Sequence, residues 1–337
     1  MQTNLSSEAG VVGPNETGQH NNPKFATMDN SVDSSVDTSR GTGVTSVADR
    51  TSVLRSMGEE FINEDELLLL LNNKAASVCY VWVVPSPLMH ISQGIMKTAY
   101  VNRMVKAGFK VKILIADWFA QMSYKVGSDL NKIRTIVCYN IEVWKAAGMD
   151  LERVELVLLS DVMNSQAANF WPLYMDICQK NTIDNIKRCC RKTLPYGPGI
   201  LQVTELLLPC LQCAAMLFHK QVDIWLLDMD QREVTVLVRK ITDMLPDLLQ
   251  YPKAAERIDP GRAISMEDTE DDENLRIFTN MEMLIADYKR GTLHAADVKL
   301  ALAKAINKIL QPVHEHFRNN ADAKKLREAN KEHYLRS

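Results

Sequence analysis

Residues 80 to 97 read Tyr80-Val-Trp-Val-Val-Pro-Ser-Pro-Leu-Met-His90-Ile-Ser-Gln93-Gly-Ile-Met-Lys97. A β-branched and aromatic run, Val78 to Val84, ends at Pro85-Ser86-Pro87. The tetrad His90-Ile91-Ser92-Gln93 then opens a helix that the pattern carries to Gly108. A strand passing into a helix through a tight turn gathers free backbone N–H groups and the positive end of the helix dipole at one spot. Such a spot suits a phosphate. Alone the tetrad says little, because a single histidine after a strand also serves as a packed or capping residue.

Working outward, strand and helix alternate. Lys110 to Asp117 reads as a strand, a helix runs through Ile141 to Gly148, and Val154 to Leu159 is a third strand. Apolar strand runs separated by helices argue for a doubly wound α/β fold, a parallel sheet covered on both faces. Ligands of such sheets sit at the carboxyl ends of the strands, where Pro85 to Gln93 and Asp117 fall. Asn164 to Cys190 reads as largely helical, with Pro172 near a helix start. Helices at Val203 to Lys220 and Arg232 to Leu249 flank a short apolar run, Val222 to Leu227.

Upstream, Ser56-Met-Gly-Glu59 has capping-box spacing and Asn63-Glu-Asp-Glu66 is a second helix start, so the segment to Leu71 should be helical. Residues 1 to 50 are rich in Ser, Thr, Asn and Gly and poor in large aliphatics, the composition of a disordered tail. The expected layout is that tail, an α/β unit over 51–265, an acidic linker over 266–274 and an all-α segment over 275–337. The last has a turn at Gly291 and a helix restart at Ala295.

A net charge of −3 gives no general affinity for nucleic acid, so RNA contact would need a local basic patch. Lys304, Lys308, Arg318, Lys324, Lys325, Arg327 and Lys331 offer one, or a solvated helix face. No apolar run approaches the roughly 20 residues of a membrane span. Seven cysteines without a secretory signal argue for free thiols in a reducing compartment, and the cytoplasm is expected. Cys210-x-x-Cys213 falls inside an apolar helix and His314 and His316 read as helix-surface residues, so no metal site is expected.

Three further segments give the tetrad context: Lys112-Ile-Leu-Ile-Ala-Asp-Trp-Phe-Ala-Gln121, Trp144-Lys-Ala-Ala-Gly-Met149 and Asp228-Met229-Asp230-Gln231-Arg232. Together with His90-Ile-Ser-Gln93 they resemble the class I tyrosyl-tRNA synthetases of the eukaryotic cytosolic kind, over residues 55 to 337. The resemblance implies a Rossmann-like catalytic domain followed by an anticodon-side helical domain. It also implies ATP-dependent activation of tyrosine (ATP being a substrate, with Mg), transfer to tRNA, and a dimer formed around Trp171-Pro-Leu-Tyr-Met-Asp176. His90, Gln93 and Arg257 would act on the phosphates. Pro85, Ser86, His90, Ser92 and Gln93 would bind ATP, and Tyr80, Gln212, Asp230 and Gln231 would hold tyrosine.

The departures fall on ligand positions. The family's first loop, Tyr-Asp-Gly-Phe-Glu-Pro-Ser-Gly-Arg, is here Tyr80-Val-Trp-Val-Val-Pro-Ser-Pro-Leu88, with Trp82 and Pro87 at glycine positions and Val84 for glutamate. The pocket helix, usually Tyr-Pro-x-x-Gln-x-x-Asp, has Leu208 for the tyrosine and Ala215 for the aspartate. Without that carboxylate the pocket loses most of its preference for a hydroxyl. Lys-Met-Ser-Lys-Ser before Asp-Pro is here Ala254-Ala-Glu-Arg257-Ile258, so one lysine is Ala254 and the other Arg257. One lost transition-state contact typically costs about 3 kcal/mol, a hundredfold or more in rate. Asp287-Tyr-Lys-Arg-Gly-Thr-Leu-His-Ala-Ala-Asp297 follows the acidic linker almost at once, so part of the helical region is missing relative to the family. Two readings follow: a tyrosine–tRNA ligase of impaired activity, or a silent paralogue acting as a homodimer or heterodimer partner or as an RNA-binding protein.

Overall fold

The structure is a computed structural model. It describes residues 46–62, 64–122, 126, 129–193, 202–219, 221–228, 231–244, 254–258, 289–291 and 295–335. The strands are β1 (Gly58–Ile62), β2 (Val78–Val83), β3 (Lys110–Ile115), β4 (Val154–Leu158), β5 (Ile224–Asp228) and β6 (Ala254–Ile258), in the order β1-β6-β5-β2-β3-β4. β6, β5, β2, β3 and β4 run parallel and β1 closes one edge antiparallel. From β2 the chain winds outward to β3 and β4, then returns to the other side of β2 for β5 and β6. The order therefore reverses between β2 and β5, which opens a crevice at their carboxyl ends.

Successive side chains of a strand point to opposite faces, and both faces are covered. Cys79, Val81 and Val83 of β2 join Ile113, Leu156 and Leu226 in a core beneath α1 (Val47–Met57), α2 (Glu64–Asn73), α3 (Lys97–Lys106) and α5 (Leu130–Ala146). Tyr80 and Trp82 point the other way, into a core with Trp225 and Leu227. That face is covered by α4 (Asp117–Met122), α6 (Leu159–Ser165), α7 (Ala167–Gln179), α8 (Ile183–Thr193), α9 (Val203–Phe218) and α10 (Arg232–Met244). Each fully buried aliphatic side chain contributes roughly 1.5–3 kcal/mol, so two continuous cores fix the strand register firmly. Two long helices follow, α11 (Ala295–Asn319) and α12 (Ala321–Leu335), and they pack on α5.

Buried backbone groups find specific partners. The Arg50 guanidinium donates to the carbonyls of Leu71, Lys74 and Ala75 and so caps the carboxyl end of α2. Pro209, inside α9, cannot donate to the carbonyl of Glu205, which accepts from the Cys190 thiol at 3.3 Å instead. Gly148 ends α5 at φ +84°, a conformation a side chain would strain, while the Met149 amide donates back to the Trp144 carbonyl.

Several expectations need correction. Ser56 to Glu59 does not start a helix: α1 ends at Met57 and Gly58–Ile62 is a strand held by β6. α1 opens at Val47, inside the expected tail, and Pro172 lies within α7 rather than at its start. Ala254–Ile258, read only as a degenerate signature, is a strand bonded along both edges. His316 packs on protein, its Nε2 2.7 Å from Glu142 Oε2 of α5, whereas His314 is exposed, as expected, and lines a groove against the tetrad. Residues 1–45, the acidic linker and residues 275–288 lie outside the described residues; the turn at Gly291 (φ +74°) and the restart at Ala295 lie within them.

Candidate active site

The turn after β2 is held from two sides. Asn140, buried on α5, accepts from the Ser86 amide (3.0 Å) and donates to the Ser86 carbonyl (2.7 Å). Asn330 of α12 donates to the Pro87 carbonyl at 2.8 Å. The helix beyond begins with a π-helical turn, Ser92–Met96, a departure that often marks functional sites. Within it the Gln93 and Gly94 amides both donate to the His90 carbonyl, and the His90 amide donates to Gln93 Oε1 at 3.2 Å. The Trp144 indole donates to the Gln93 carbonyl at 2.9 Å. A Cβ on Gly94 would lie 3.3 Å from Val143, so the turn sits tight against α5.

Among the described residues, two cavities border this turn. One of about 80 Å3 lies in the crevice and is lined by Ser86, Gln93, Lys97, Asn140, Asp228 and Gln231, among others. Lys97, with only 7% of its side chain exposed, faces Asp228 Oδ1 at 3.6 Å, while Asp228 is 45% exposed. The second, about 370 Å3, lies between the tetrad and α11 and α12, and His90 lines this one. Gln93 and Gln231 thus share the crevice cavity, and His90 does not line it.

The sheet face that carries Tyr80 is buried. Tyr80 is buried, edge-on to Trp225 (centroids 5.1 Å) and His219 (4.9 Å), with Lys112 Nζ 5.8 Å from its ring centre. Burial first, and the nearby Glu155 charge second, push its hydroxyl pKa above the ordinary value. His219 is buried with no partner for either ring nitrogen among the described residues. Burial, helped by Lys112, lowers its pKa to about 3, so the ring is neutral. Gln212 Nε2 donates to Gln231 Oε1 at 2.9 Å, and Ala215 lies in the core cluster that holds Tyr80 and Trp225.

Asp117 also sits at a strand's carboxyl end, but it accepts from the Ser160 hydroxyl and amide and ties α4 to α6. Its pKa is raised by burial, against the opposing pull of those bonds. Arg257 is the next-to-last residue of β6, beside Leu227 of β5 and Glu60 of β1. Asp230 and Asp259-Pro260 lie outside the described residues. Cys189 and Cys190 are pushed up to about 11, burial being the main cause, so both stay thiols. Among the described residues no group of three or more His, Cys, Asp or Glu is placed to hold a metal ion.

Residues 72–269 match the family model for class I tRNA synthetases (W and Y). The chain is 40% identical to tyrosine–tRNA ligase 1, cytoplasmic, of Arabidopsis thaliana, across 83% of this chain and 87% of that one. The chain belongs to the class I tyrosyl-tRNA synthetase family, eukaryotic cytosolic type. It is 38% identical to tyrosine–tRNA ligase 2, cytoplasmic, of the same plant, across 82% of this chain and 44% of that one. Leishmania major tyrosyl-tRNA synthetase, solved in complex with tyrosinol, superposes with a TM-score of 0.75 at 31% identity, covering 86% of this chain and 53% of that one. The chain therefore spans about half the length of these last two relatives. Family membership brings ATP as a substrate.

Sequence reasoning missed Asn140, Lys97 and His219. Asn140 and His219 are single polar residues in apolar surroundings, and the visible clue was a polar side chain where periodicity calls for an apolar one.

Proposed function

We propose that this chain derives from an enzyme that activates tyrosine with ATP and charges tRNA, and that its own activation step is impaired. The observation that carries this is the hydrogen bond between the buried Gln212 and Gln231, together with Ala215, in place of a carboxylate, in the core cluster that holds Tyr80 and Trp225. Groups proposed to hold tyrosine instead hold each other. Tyr80, Gln212, Asp230 and Gln231 are the proposed tyrosine contacts. Pro85, Ser86, His90, Ser92 and Gln93 are the proposed ATP contacts, with Mg accompanying ATP. In this reading His90, Gln93 and Arg257 would stabilise the phosphates, but several of the turn's amides are already bonded internally. The crevice cavity, at about 80 Å3, is also well below the roughly 300 Å3 at which ligand pockets begin.

The second reading, a silent partner subunit, is favoured by α7, where Trp171 and Met175 are 37% and 56% exposed at one helical turn's spacing. We assign that face to a homodimer or to a heterodimer with an intact synthetase. The cytoplasm is the proposed location, and 51–265 and 275–337 are the proposed catalytic-type and helical domains. Tyrosine-dependent pyrophosphate exchange tests the main reading. Exchange no higher than that of His90→Ala supports impairment, and exchange well above it overturns impairment. Co-purification with an intact synthetase subunit, lost on Met175→Asp, supports the partner role.

A further inference from the structure

We infer that the indole of Trp82 occupies the place of the substrate's aromatic ring, so that this chain's amino-acid pocket is filled by its own side chain. Taking the indole away uncovers a site for a planar aromatic molecule. The site is the one assigned above to the amino acid, and its assignment stands with that reading.

Trp82 stands two residues after Tyr80 on the same strand and points to the same face. It is 1% exposed, edge-on to Phe119 (centroids 5.1 Å) and tilted against Trp225 (6.4 Å). Protein interiors are close-packed, and inserting bulk into a filled core forces side chains and backbone aside. A full indole at a position that resembles a glycine one therefore needs a ligand-sized space to enter. Ala215, small where the resemblance implies an aspartate, lies in the same cluster. The indole N–H of Trp82 is buried without a hydrogen-bond partner among the described residues. A buried tryptophan ordinarily finds such a partner. Here the ring is held by shape, as a flat apolar guest is held. With Ala215 and Leu208 in the same core cluster, where the resemblance implies a carboxylate and a hydroxyl, the uncovered site suits indole or a phenyl ring at least as well as a phenol.

The test uses the full chain, its Trp82→Gly and Trp82→Ala variants, and free indole as the probe. Indole is expected to raise the melting temperature of both variants and leave the parent unchanged. By titration calorimetry the variants should bind indole at least tenfold more tightly than the parent, and L-phenylalanine at least as tightly as L-tyrosine. A variant with parent-like circular dichroism and no response to indole overturns the inference, as does a parent that binds L-tyrosine as tightly as the variants do. If both variants fail to fold even with indole present, Trp82→Leu with benzene as probe decides, a folded protein without benzene binding being the overturning result. Parent silence in pyrophosphate exchange with unresponsive variants defeats this inference alone. Exchange by the parent defeats the reading of impairment.

Discussion

The two sides of the crevice are built alike and finished differently. On the nucleotide side, polar side chains remain in contact with open space: Asn140 brackets Ser86, and Lys97 reaches Asp228 beside a small cavity. On the amino-acid side, Tyr80, Trp82, Trp225 and His219 form an aromatic cluster in which even the histidine is neutral and unbonded among the described residues. Both lie at the same switch point of the same sheet, so fold alone does not set their character. One side is continuous with the core, and the other keeps polar side chains around a small cavity.

If the amino-acid side is core, it must behave as core under mutation. Trp225→Ala removes the ring that touches both Tyr80 and Trp82, and the cost should be about 3–5 kcal/mol. Urea unfolding followed by circular dichroism measures it, and a loss below about 1 kcal/mol would show a cluster that is still a pocket. The next largest effect depends on pH. His219 has a folded pKa near 3, against about 6.5 for the unfolded chain, so the unfolded state takes up the proton first as pH falls. Its contribution is intact above about pH 6.5 and is lost between there and pH 3, by up to about 1.4 kcal/mol per pH unit. By this group alone the protein should be about 2–3 kcal/mol less stable at pH 4.5 than at pH 7. His219→Phe should flatten that part of the curve, and an unchanged pH profile would mean the ring is not buried neutral.

The same contrast explains what was legible beforehand. Val78–Val83 announces itself because β-branched and aromatic residues in a short run leave few alternatives, and the sheet's middle followed from such runs. The strands Gly58–Ile62 and Ala254–Ile258 did not, since Gly-Glu-Glu-Phe-Ile and Ala-Ala-Glu-Arg-Ile carry little strand preference. They are strands because the free edge of β5 recruits β6 and β6 recruits β1, a tertiary effect no local window contains. At the site, Gln212 and Gln231 are hydrogen-bonded to each other, Tyr80 lies in the core on that face of the sheet, and His90 lines the groove against α11. That separation depends on a π-helical turn and on α12 holding Pro87, neither of which is written in spacing.

Predictions on the nucleotide side are smaller and test whether it is less than core. Asn140→Ala leaves the Ser86 amide and carbonyl without their partner and should cost about 1–3 kcal/mol. Faster hydrogen exchange at the Ser86 amide, with the strand amides unchanged, would localise the effect to the turn.

The smallest effect comes from the Lys97–Asp228 pair, whose two ends sit in different surroundings. Removing Asp228 strands a charge that is nearly buried, whereas removing Lys97 strands one that water already reaches. Asp228→Asn should therefore destabilise more than Lys97→Met, and the latter should stay within about 1 kcal/mol of the parent. The pair of denaturation midpoints, read at matched slope, decides this. Equal losses would mean that both ends are solvated and the crevice is wider than the distances imply. A larger loss for Lys97→Met would mean that the lysine holds more of this wall than its one carboxylate, and that the nucleotide side belongs with the core after all.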